Sequence, residues 1–360
     1  MRIVRPPEAT VRSIDKPRLL APDAAGIAVA AGLLRAGGLV ALPTETVYGL
    51  GADASSSTAV ARIFVAKGRP VDHPVIVHLG QVDQLDEWAL DVPAVARALA
   101  AAFWPGPLTL ILRRRSHVLD SVTGGQDTVG LRVPGHPVAL ALLAAFGGGI
   151  AAPSANRFGR VSPTDHRHVV ADLAAYLDPS RDAILAGGAS TVGVESTIVD
   201  CSRGEPIVLR PGGITAEQLE PILGHNRTNA VRELARTALQ GEGPPTAGVR
   251  APGMLDAHYA PAAAIEVADG GALIARLSVL EGRRVGVLGP RHLAFPMNVI
   301  RMDAPDPYTG ATLAPLLYAR FRDADALGLE VLLVVPPNEE GLGVAVRDRL
   351  RRAAFGSVPI

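Results

Sequence analysis

Cations and hydroxyls concentrate in a few short segments of this sequence. The segment Lys67-Gly-Arg69 places two cations around a glycine, and Pro70 and Pro74 follow it. Such a segment favours an anion site over a solvated helix face, because lysine supplies a point charge and arginine a fork that matches phosphate or carboxylate oxygens. The chain has only two lysines, Lys16 and Lys67, so a retained lysine indicates a position where a compact ammonium matters, although chance retention explains either one equally well.

Residues 43–53 form a second polar segment, which follows a predicted strand. It contains Thr44, a carboxylate and two glycines, which suits a ligand loop, but taken alone an ordinary strand–helix connection is the better interpretation. His78 ends another predicted strand, and a lone histidine there is more often structural than a ligand. Arg132 lies in an apolar segment, in strand alternation with Thr128, and needs an anionic partner that is either a protein carboxylate or a bound one.

Four later segments repeat this combination of hydroxyls with backbone donors. Ser154 and Asn156 follow a rigid proline turn and can present a hydroxyl and an amide to one ligand. The segment 162–165 is predicted to begin a helix, with Ser162 or the nearby threonine as its cap, and could also bind phosphate. Ser196 and Arg210 lie at loop–strand junctions rich in glycine.

Several classes of protein are excluded by what the sequence lacks. The glycine spacing matches neither a Walker A loop nor a dinucleotide-binding fingerprint, and no nucleophile elbow surrounds Ser154. The single Cys201 excludes an intrachain disulfide framework and cysteine-based zinc sites. The remaining cations and hydroxyls suit binding of a triphosphate and a small zwitterion, with rate enhancement from positioning and charge neutralisation. They indicate ATP- or phosphate-dependent condensation without naming the substrate.

Short strands alternating with helices must position these segments. The pattern predicts an α/β fold, a mixed twisted sheet with helices, followed by a smaller C-terminal β/α unit of Rossmann-like type. Composition divides the chain into a catalytic domain (1–222), a linker (223–261) and the small C-terminal domain (262–360). The predicted strands and helices lie at 39–42, 75–78, 108–113, 128–133, 150–152, 183–185, 197–200, 207–210, 265–267, 284–288 and 331–335, and at 23–36, 59–66, 93–102, 137–146, 271–280, 312–327 and 344–355.

The ordered set of motifs resembles a known family, the two-domain YrdC-like L-threonylcarbamoyladenylate synthases. The resemblance covers residues 17–220 and extends through the linker signature that begins at Ala251. The motifs that carry it are Pro43-Thr-Glu-Thr-Val-Tyr-Gly-Leu-Gly, Lys67-Gly-Arg-Pro, Trp104-Pro-Gly-Pro-Leu-Thr, Leu131-Arg-Val-Pro, Ala152-Pro-Ser-Ala-Asn, Gly193-Val-Glu-Ser-Thr, Leu209-Arg-Pro-Gly and Ala251-Pro-Gly-Met-Leu-Asp-Ala-His-Tyr-Ala-Pro.

The resemblance implies a reaction and a role for each matching residue. Threonine and bicarbonate form a carbamate, which ATP adenylates with release of pyrophosphate. The implied catalytic residues are Lys67 and Arg69. The implied ATP-binding residues are Lys67, Arg69, Thr128, Ser154, Asn156, Ser162, Arg210 and Tyr259. The implied threonine-binding residues are Thr44, His78, Arg132, Ala152 and Ser196, with Arg132 facing the amino-acid carboxylate.

The resemblance also implies cofactors and partners. Mg²⁺ is expected on the triphosphate of ATP, held by phosphates and water and not by a protein cage. The product feeds a separate transferase complex that modifies tRNA. A net charge of zero predicts at most a weak direct contact with tRNA. The sequence contains neither the apolar run of a secretion signal nor a membrane span, so a cytoplasmic location is expected.

Two points separate this chain from alternatives and from the family pattern. An RNA-binding module without catalysis is the alternative, but zero net charge and the absence of aromatic stacking motifs disfavour it. A hydrogenase-maturation carbamoyltransferase is another alternative, but it would need cysteine-rich zinc fingers, and the sequence has a single cysteine. In the linker, Leu255, Asp256 and Ala257 replace basic residues common in the family, and residues 241–259 are predicted to act as a lid.

Overall fold

The structure is a computed structural model that describes residues 17–230, 249–253 and 258–356. Lys16, together with Leu255, Asp256 and Ala257 of the predicted linker, lies outside the described residues. Two separate β-sheets form the framework of the described part of the chain. Within the described ranges, no helix combines the length and the apolar character needed to cross a membrane.

The first sheet has ten strands and mixes parallel with antiparallel pairs. Its strands lie side by side in the order β1-β8-β2-β3-β7-β4-β6-β5-β9-β10. In chain order they are β1 (Arg18–Leu20), β2 (Val40–Leu42), β3 (Gly49–Asp53), β4 (Ile76–His78), β5 (Leu108–Arg113), β6 (Thr128–Arg132), β7 (Ile150–Ala151), β8 (Ala183–Leu185), β9 (Thr197–Asp200) and β10 (Ile207–Arg210). This arrangement confirms the predicted mixed α/β class.

Helices connect the strands of this sheet, and some of them begin where a side chain caps the first turn. Asp23 and Ser56 accept hydrogen bonds from the backbone of the first turn of their helices. The α-helices are Ala24–Arg35, Ser57–Lys67, Leu85–Trp88, Ala94–Phe103, Asp120–Thr123, Pro137–Phe146, His166–Leu173 and Ala216–Leu223, and the 3₁₀ helices are Val82–Gln84 and Ala174–Tyr176.

A second, four-stranded sheet builds the C-terminal unit. Its strands are β11 (Ala264–Val267), β12 (Val285–Leu288), β13 (Ile300–Arg301) and β14 (Val331–Val334), all parallel, in the order β11-β14-β12-β13. The helices of this unit are Leu273–Val279, Gly310–Leu313, Leu317–Ala326 and Gly343–Gly356. Parallel strands joined by helices agree with the predicted Rossmann-like architecture.

Three local predictions were wrong. The segment 43–53, taken by itself, favoured an ordinary strand–helix connection, but its residues 49–53 form β3, which is antiparallel to β2. The helix predicted at 312–327 is interrupted around Pro315, because proline cannot donate the backbone hydrogen bond that continues a helix. The segment 162–165 does lead into a helix, His166–Leu173, but the predicted serine or threonine cap was wrong: the cap is Asp165, which accepts from the backbone N–H of Arg167 at 2.9 Å.

One of the apolar clusters spans both units. Val47, Val161 and Val194 of the first unit belong to the same buried cluster as Leu313 and Phe321 of the second. Burial of apolar side chains is the dominant stabilising force between packed elements. The C-terminal unit is therefore packed directly against the segments 43–48, 161–165 and 192–196 of the first unit.

Candidate active site

A cleft with about 570 Å³ of empty space lies over the central strands of the large sheet. In the register of β4 and β6, His78 pairs with Arg132 and Ile76 with Gly130, so alternate residues of neighbouring strands share one face. The cleft is lined by Thr44, Thr46, Val47, Tyr48, Gly49, Arg69, Ile76, His78, Arg132, Ala152, Pro153, Ser154, Glu195, Ser196, Arg210, Pro252, Gly253, His258 and Tyr259.

The connection between β2 and β3 forms one wall of the cleft. The Thr44 hydroxyl donates to the carbonyl of Val47 at 2.6 Å and lies 2.8 Å from the Thr46 hydroxyl, which closes a tight turn. Arg132 reaches this turn and donates to the Thr46 hydroxyl at 2.9 Å. It also forms a 2.7 Å ion pair with Glu45. The protein carboxylate that a buried arginine requires is therefore Glu45, which holds the guanidinium at the cleft.

The helix Ser57–Lys67 ends within the Lys67-Gly-Arg69 segment and so positions both of its cations. Gly68 ends the helix in the left-handed conformation, with φ +62, and thereby turns the chain so that Arg69 lines the cleft. Arg69 donates to the carbonyl of Pro74 at 2.8 Å. Burial lowers the pKa of Arg69 to about 10, which leaves the side chain charged at neutral pH but poorly solvated.

Lys67 holds the loop that follows β7. Its ammonium donates to the carbonyls of Ser154 and Asn156, both at 2.5 Å, and the side chain is buried. Burial, and then the neighbouring charge of Arg69, lower the pKa of Lys67 well below its ordinary value. The loop is fixed further by the Asn156 amide, which donates to the carbonyls of Arg157 and Arg160. Lys67 thus positions Ser154, which does line the cleft.

The opposite wall comes from Ser196, which precedes β9, from Arg210 at the end of β10, and from Pro252 and Gly253. Arg210 donates to the Ser196 carbonyl at 2.9 and 3.1 Å and to the carbonyl of Pro252 at 2.8 Å. The Ser196 hydroxyl lies 2.8 Å from that of Thr109. Arg210 therefore joins the large sheet to the linker, and its buried guanidinium, whose pKa burial lowers, faces the cleft.

His258 and Tyr259 cover the cleft from the end of the linker. Tyr259 has a positive φ of 63, and its ring lies 4.0 Å from that of His258, edge to face. Burial, together with the charges of Lys67 and Arg69, lowers the pKa of His258 to about 3, so this imidazole is neutral. His78 on the sheet is likewise neutral, since burial and then Arg132 lower its pKa to about 3.

Nine of the predicted site residues line this one cleft, and four are buried without lining it. The nine are Thr44, Arg69, His78, Arg132, Ala152, Ser154, Ser196, Arg210 and Tyr259. Lys67 is buried against the loop that carries Ser154, Asn156 is a buried member of that loop, and Thr128 is buried at the start of β6. Ser162 is fully buried, and its hydroxyl donates to Glu195 at 2.7 Å.

Among the lining residues that were not singled out from the sequence as site residues are the polar side chains of Thr46, Glu195 and His258. Thr46 and His258 each lie within two residues of a predicted ligand, so proximity was the available signal. Glu195 lies inside the motif Gly193-Val-Glu-Ser-Thr, but it was not predicted as a site residue because a carboxylate repels the anionic groups that the site was expected to bind. Its charge is matched by residues from the C-terminal unit, which no local sequence pattern reveals.

Several buried polar atoms at the cleft have no hydrogen-bond partner within the described part of the chain. They are Arg69 Nε, His78 Nδ1, His258 Nδ1 and the Tyr259 hydroxyl. Native proteins rarely leave such groups unsatisfied, because each one costs its full desolvation free energy. Together with three desolvated arginines, these atoms indicate a polar, anionic ligand with hydrogen-bonding groups on several sides.

Comparison with known proteins finds similarity over most of the chain. The Sua5/YciO/YrdC family profile, described as telomere recombination, matches residues 32–212, and that of the threonylcarbamoyl-AMP synthase C-terminal domain matches 214–355. Threonylcarbamoyl-AMP synthase of Pyrococcus abyssi is 41% identical over 341 residues, covering 91% of this chain and 94% of the relative. Its Bacillus subtilis counterpart is 40% identical over 339 residues, covering 92% and 94%. The crystal structure of P. abyssi Sua5 complexed with L-threonine has a TM-score of 0.80 and 38% identity, covering 95% of this chain and 98% of that one.

Proposed function

Because this chain belongs to the threonylcarbamoyl-AMP synthase family, we propose that it condenses L-threonine, bicarbonate and ATP into threonylcarbamoyl-AMP and pyrophosphate. The observation that carries the proposal is the cleft itself. It combines Arg69, Arg132 and Arg210 with hydroxyls and with buried polar atoms that lack partners among the described residues. Such a cleft matches two ligands bound side by side, an anionic triphosphate and a zwitterionic amino acid whose carboxylate an arginine can bind.

We assign the threonine to the part of the cleft around Arg132. Its guanidinium is oriented by Glu45 and presents a fork suited to the amino-acid carboxylate. Thr44, His78, Ala152 and Ser196 complete this subsite. The L-threonine complex of the P. abyssi relative supports an amino-acid site in this fold. The amine joins the bicarbonate carbon as water leaves, and the resulting carbamate oxygen attacks the α-phosphorus.

We assign the nucleotide to the side formed by Arg69, Ser154, Arg210 and Tyr259. The arginines neutralise charge that develops as the bond between the α- and β-phosphates breaks and pyrophosphate departs. Lys67 supports this side by holding the carbonyls of the Ser154 loop. We keep Lys67 and Arg69 as the proposed catalytic pair. The ATP contacts of Thr128, Asn156 and Ser162 stay predictions.

Mg²⁺ enters the proposal as part of the nucleotide substrate. Within the described residues, no group of three or more His, Cys, Asp or Glu side chains is placed to hold a metal ion. The acidic residue that lines the cleft, Glu195, is already engaged by Arg349 at 2.7 Å. This donor set fits an ion bound by phosphate oxygens and water, which is the usual mode for Mg²⁺ with nucleotides.

The proposal extends to the fate of the product. We propose that threonylcarbamoyl-AMP passes to a separate transferase complex that modifies tRNA in the cytoplasm. The formal net charge of zero supports at most a weak direct contact with tRNA. A weak contact made through phosphates should be lost as salt rises, because such contacts weaken steeply with salt. Binding of tRNA that persists unchanged above about 200 mM salt would therefore contradict the expectation of a weak contact.

Mass spectrometry of the nucleotide product tests the reaction. The protein is incubated with ATP, Mg²⁺, threonine and bicarbonate, and the expected products are threonylcarbamoyl-AMP and pyrophosphate. Omitting threonine or bicarbonate should abolish both. Arg69→Met should reduce turnover at least about 100-fold, since misplaced transition-state groups cost this much. Arg97→Met is the matched control, because Arg97 pairs with Asp86 on the exposed surface. Absence of the adduct from the wild-type reaction would refute the proposal.

A further inference from the structure

Glu195 sits at the junction of the two units and lines the cleft. Its carboxylate accepts hydrogen bonds from the Ser162 hydroxyl at 2.7 Å, the Tyr318 hydroxyl at 2.9 and 3.1 Å, and Arg349 Nε at 2.7 Å. Tyr318 and Arg349 belong to the C-terminal helices Leu317–Ala326 and Gly343–Gly356. The C-terminal unit therefore supplies an aromatic hydroxyl and a full positive charge to a cleft residue of the first unit.

Arg349 is itself held in one geometry. It is fully buried and donates to Asp348 at 2.5 Å, and Asp348 in turn accepts from Arg352 at 3.0 Å. Its guanidinium carbon also lies 5.2 Å from the centre of the Tyr259 ring, a cation–π contact. One side chain of the C-terminal unit thus contacts residues on two walls of the cleft, Glu195 and Tyr259.

The backbone around Glu195 is pressed against the same unit. Gly193 has a φ of +74, and a Cβ atom there would lie 2.5 Å from the Ala314 carbonyl oxygen and overlap the backbone of Pro315. The next residue after Glu195 is Ser196, whose carbonyl and hydroxyl contact Arg210. The position of Glu195 therefore bears directly on Ser196 and Arg210, which line the cleft.

We infer that Arg349 is a positioning residue for the cleft: through Glu195 and Tyr259 it fixes the Ser196–Arg210 wall and the tyrosine cover, so the C-terminal unit completes the binding site. This inference rests on the proposed function, since it assigns the wall and the cover to binding of threonine and nucleotide. Tyr318 assists by donating to the same carboxylate. Without Arg349, a buried carboxylate would lose its charge partner and the wall would shift.

Steady-state kinetics of variants in the full chain test this role. Arg349→Met should raise the KM values for ATP and threonine and lower kcat/KM at least about tenfold, because misplaced binding groups lose transition-state contacts. Arg349→Lys should restore part of the loss, since a lysine retains the charge but not the fork. The matched control is Arg347→Met on the same helix, where Arg347 donates to Pro337 and pairs with Glu339. It should leave the KM values unchanged.

Two further measurements separate positioning from folding. Tyr318→Phe removes only one hydroxyl and should also raise both KM values by a few-fold. This variant therefore tests the inference even if Arg349→Met does not fold. In a double-mutant cycle, Glu195→Gln and Arg349→Met should be strongly non-additive, because Arg349 acts through Glu195. A structural role alone would lower the folded fraction with unchanged KM values, and that result would overturn the inference. Failure of the wild-type protein to form the adduct would instead refute the proposed function.

Discussion

The buried carboxylate of Glu195 makes folding stability depend on pH in a predictable direction. Burial alone would raise its pKa, but Arg349, Arg210 and the hydrogen bond from Ser162 lower it to about 2, against an ordinary value of 4.5. A carboxyl group whose pKa is lower in the folded state binds protons more readily when unfolded. Its contribution to stability is therefore present above pH 4.5 and is lost as the pH falls toward 2.

The magnitude follows from the two pKa values. At about 1.36 kcal/mol per pKa unit, the difference contributes about 3 kcal/mol to the free energy of unfolding at pH 7. At pH 3 the unfolded carboxyl is protonated and the folded one is still mostly ionised, so about 1 kcal/mol remains. Replacing Glu195 by glutamine removes this titration. The stability difference between the wild type and Glu195→Gln should therefore shrink by about 2 kcal/mol between pH 7 and pH 3.

Urea unfolding at the two pH values, followed by circular dichroism, measures this change. The variant also leaves Arg349 with Asp348 as its remaining carboxylate partner, which adds a destabilisation that is the same at both pH values. The exposed Glu281→Gln variant serves as control and should change stability by less than about 0.5 kcal/mol at either pH. A difference between the wild type and Glu195→Gln that stays constant from pH 7 to pH 3 would refute the reasoning.

Three further predictions concern the cleft. Lys67→Met removes both bonds to the loop carbonyls and should lower kcat/KM at least about 100-fold in a pyrophosphate-release assay, and near wild-type activity would contradict the positioning role. Arg132→Lys keeps the charge but loses the fork, so the KM for threonine should rise about tenfold while that for ATP stays unchanged; equal rises in both would argue against our assignment. Gly193→Ala forces a side chain into a left-handed conformation against Pro315 and should destabilise the protein by about 1–3 kcal/mol, seen as a lower melting temperature; an unchanged value would exclude the tight contact.

Much of the fold followed from local patterns in the sequence. Apolar runs such as 108–113 and 331–335 predicted strands that the structure contains. A buried strand needs a short run of apolar residues, and such a run is visible in a few neighbouring positions of the sequence. The errors arose where distant contacts decide. The segment 49–53 has the glycines of a turn but pairs with β2 and β7, and Ser162 resembles a helix cap but donates to Glu195.

The candidate site divides in the same way. By itself, the sequence determined which residue types were available, since guanidinium forks, hydroxyls and the lysine-containing segment are read from side-chain chemistry. Only the tertiary structure decided which of them face the cleft, placing Arg69 on its wall and Lys67 behind it, on the carbonyls of Ser154 and Asn156. It alone revealed that Arg349 holds Glu195 across 154 positions of sequence. The physical reason is that ion pairs and buried hydrogen bonds depend on distance in space, and local patterns carry no information about which distant elements pack together.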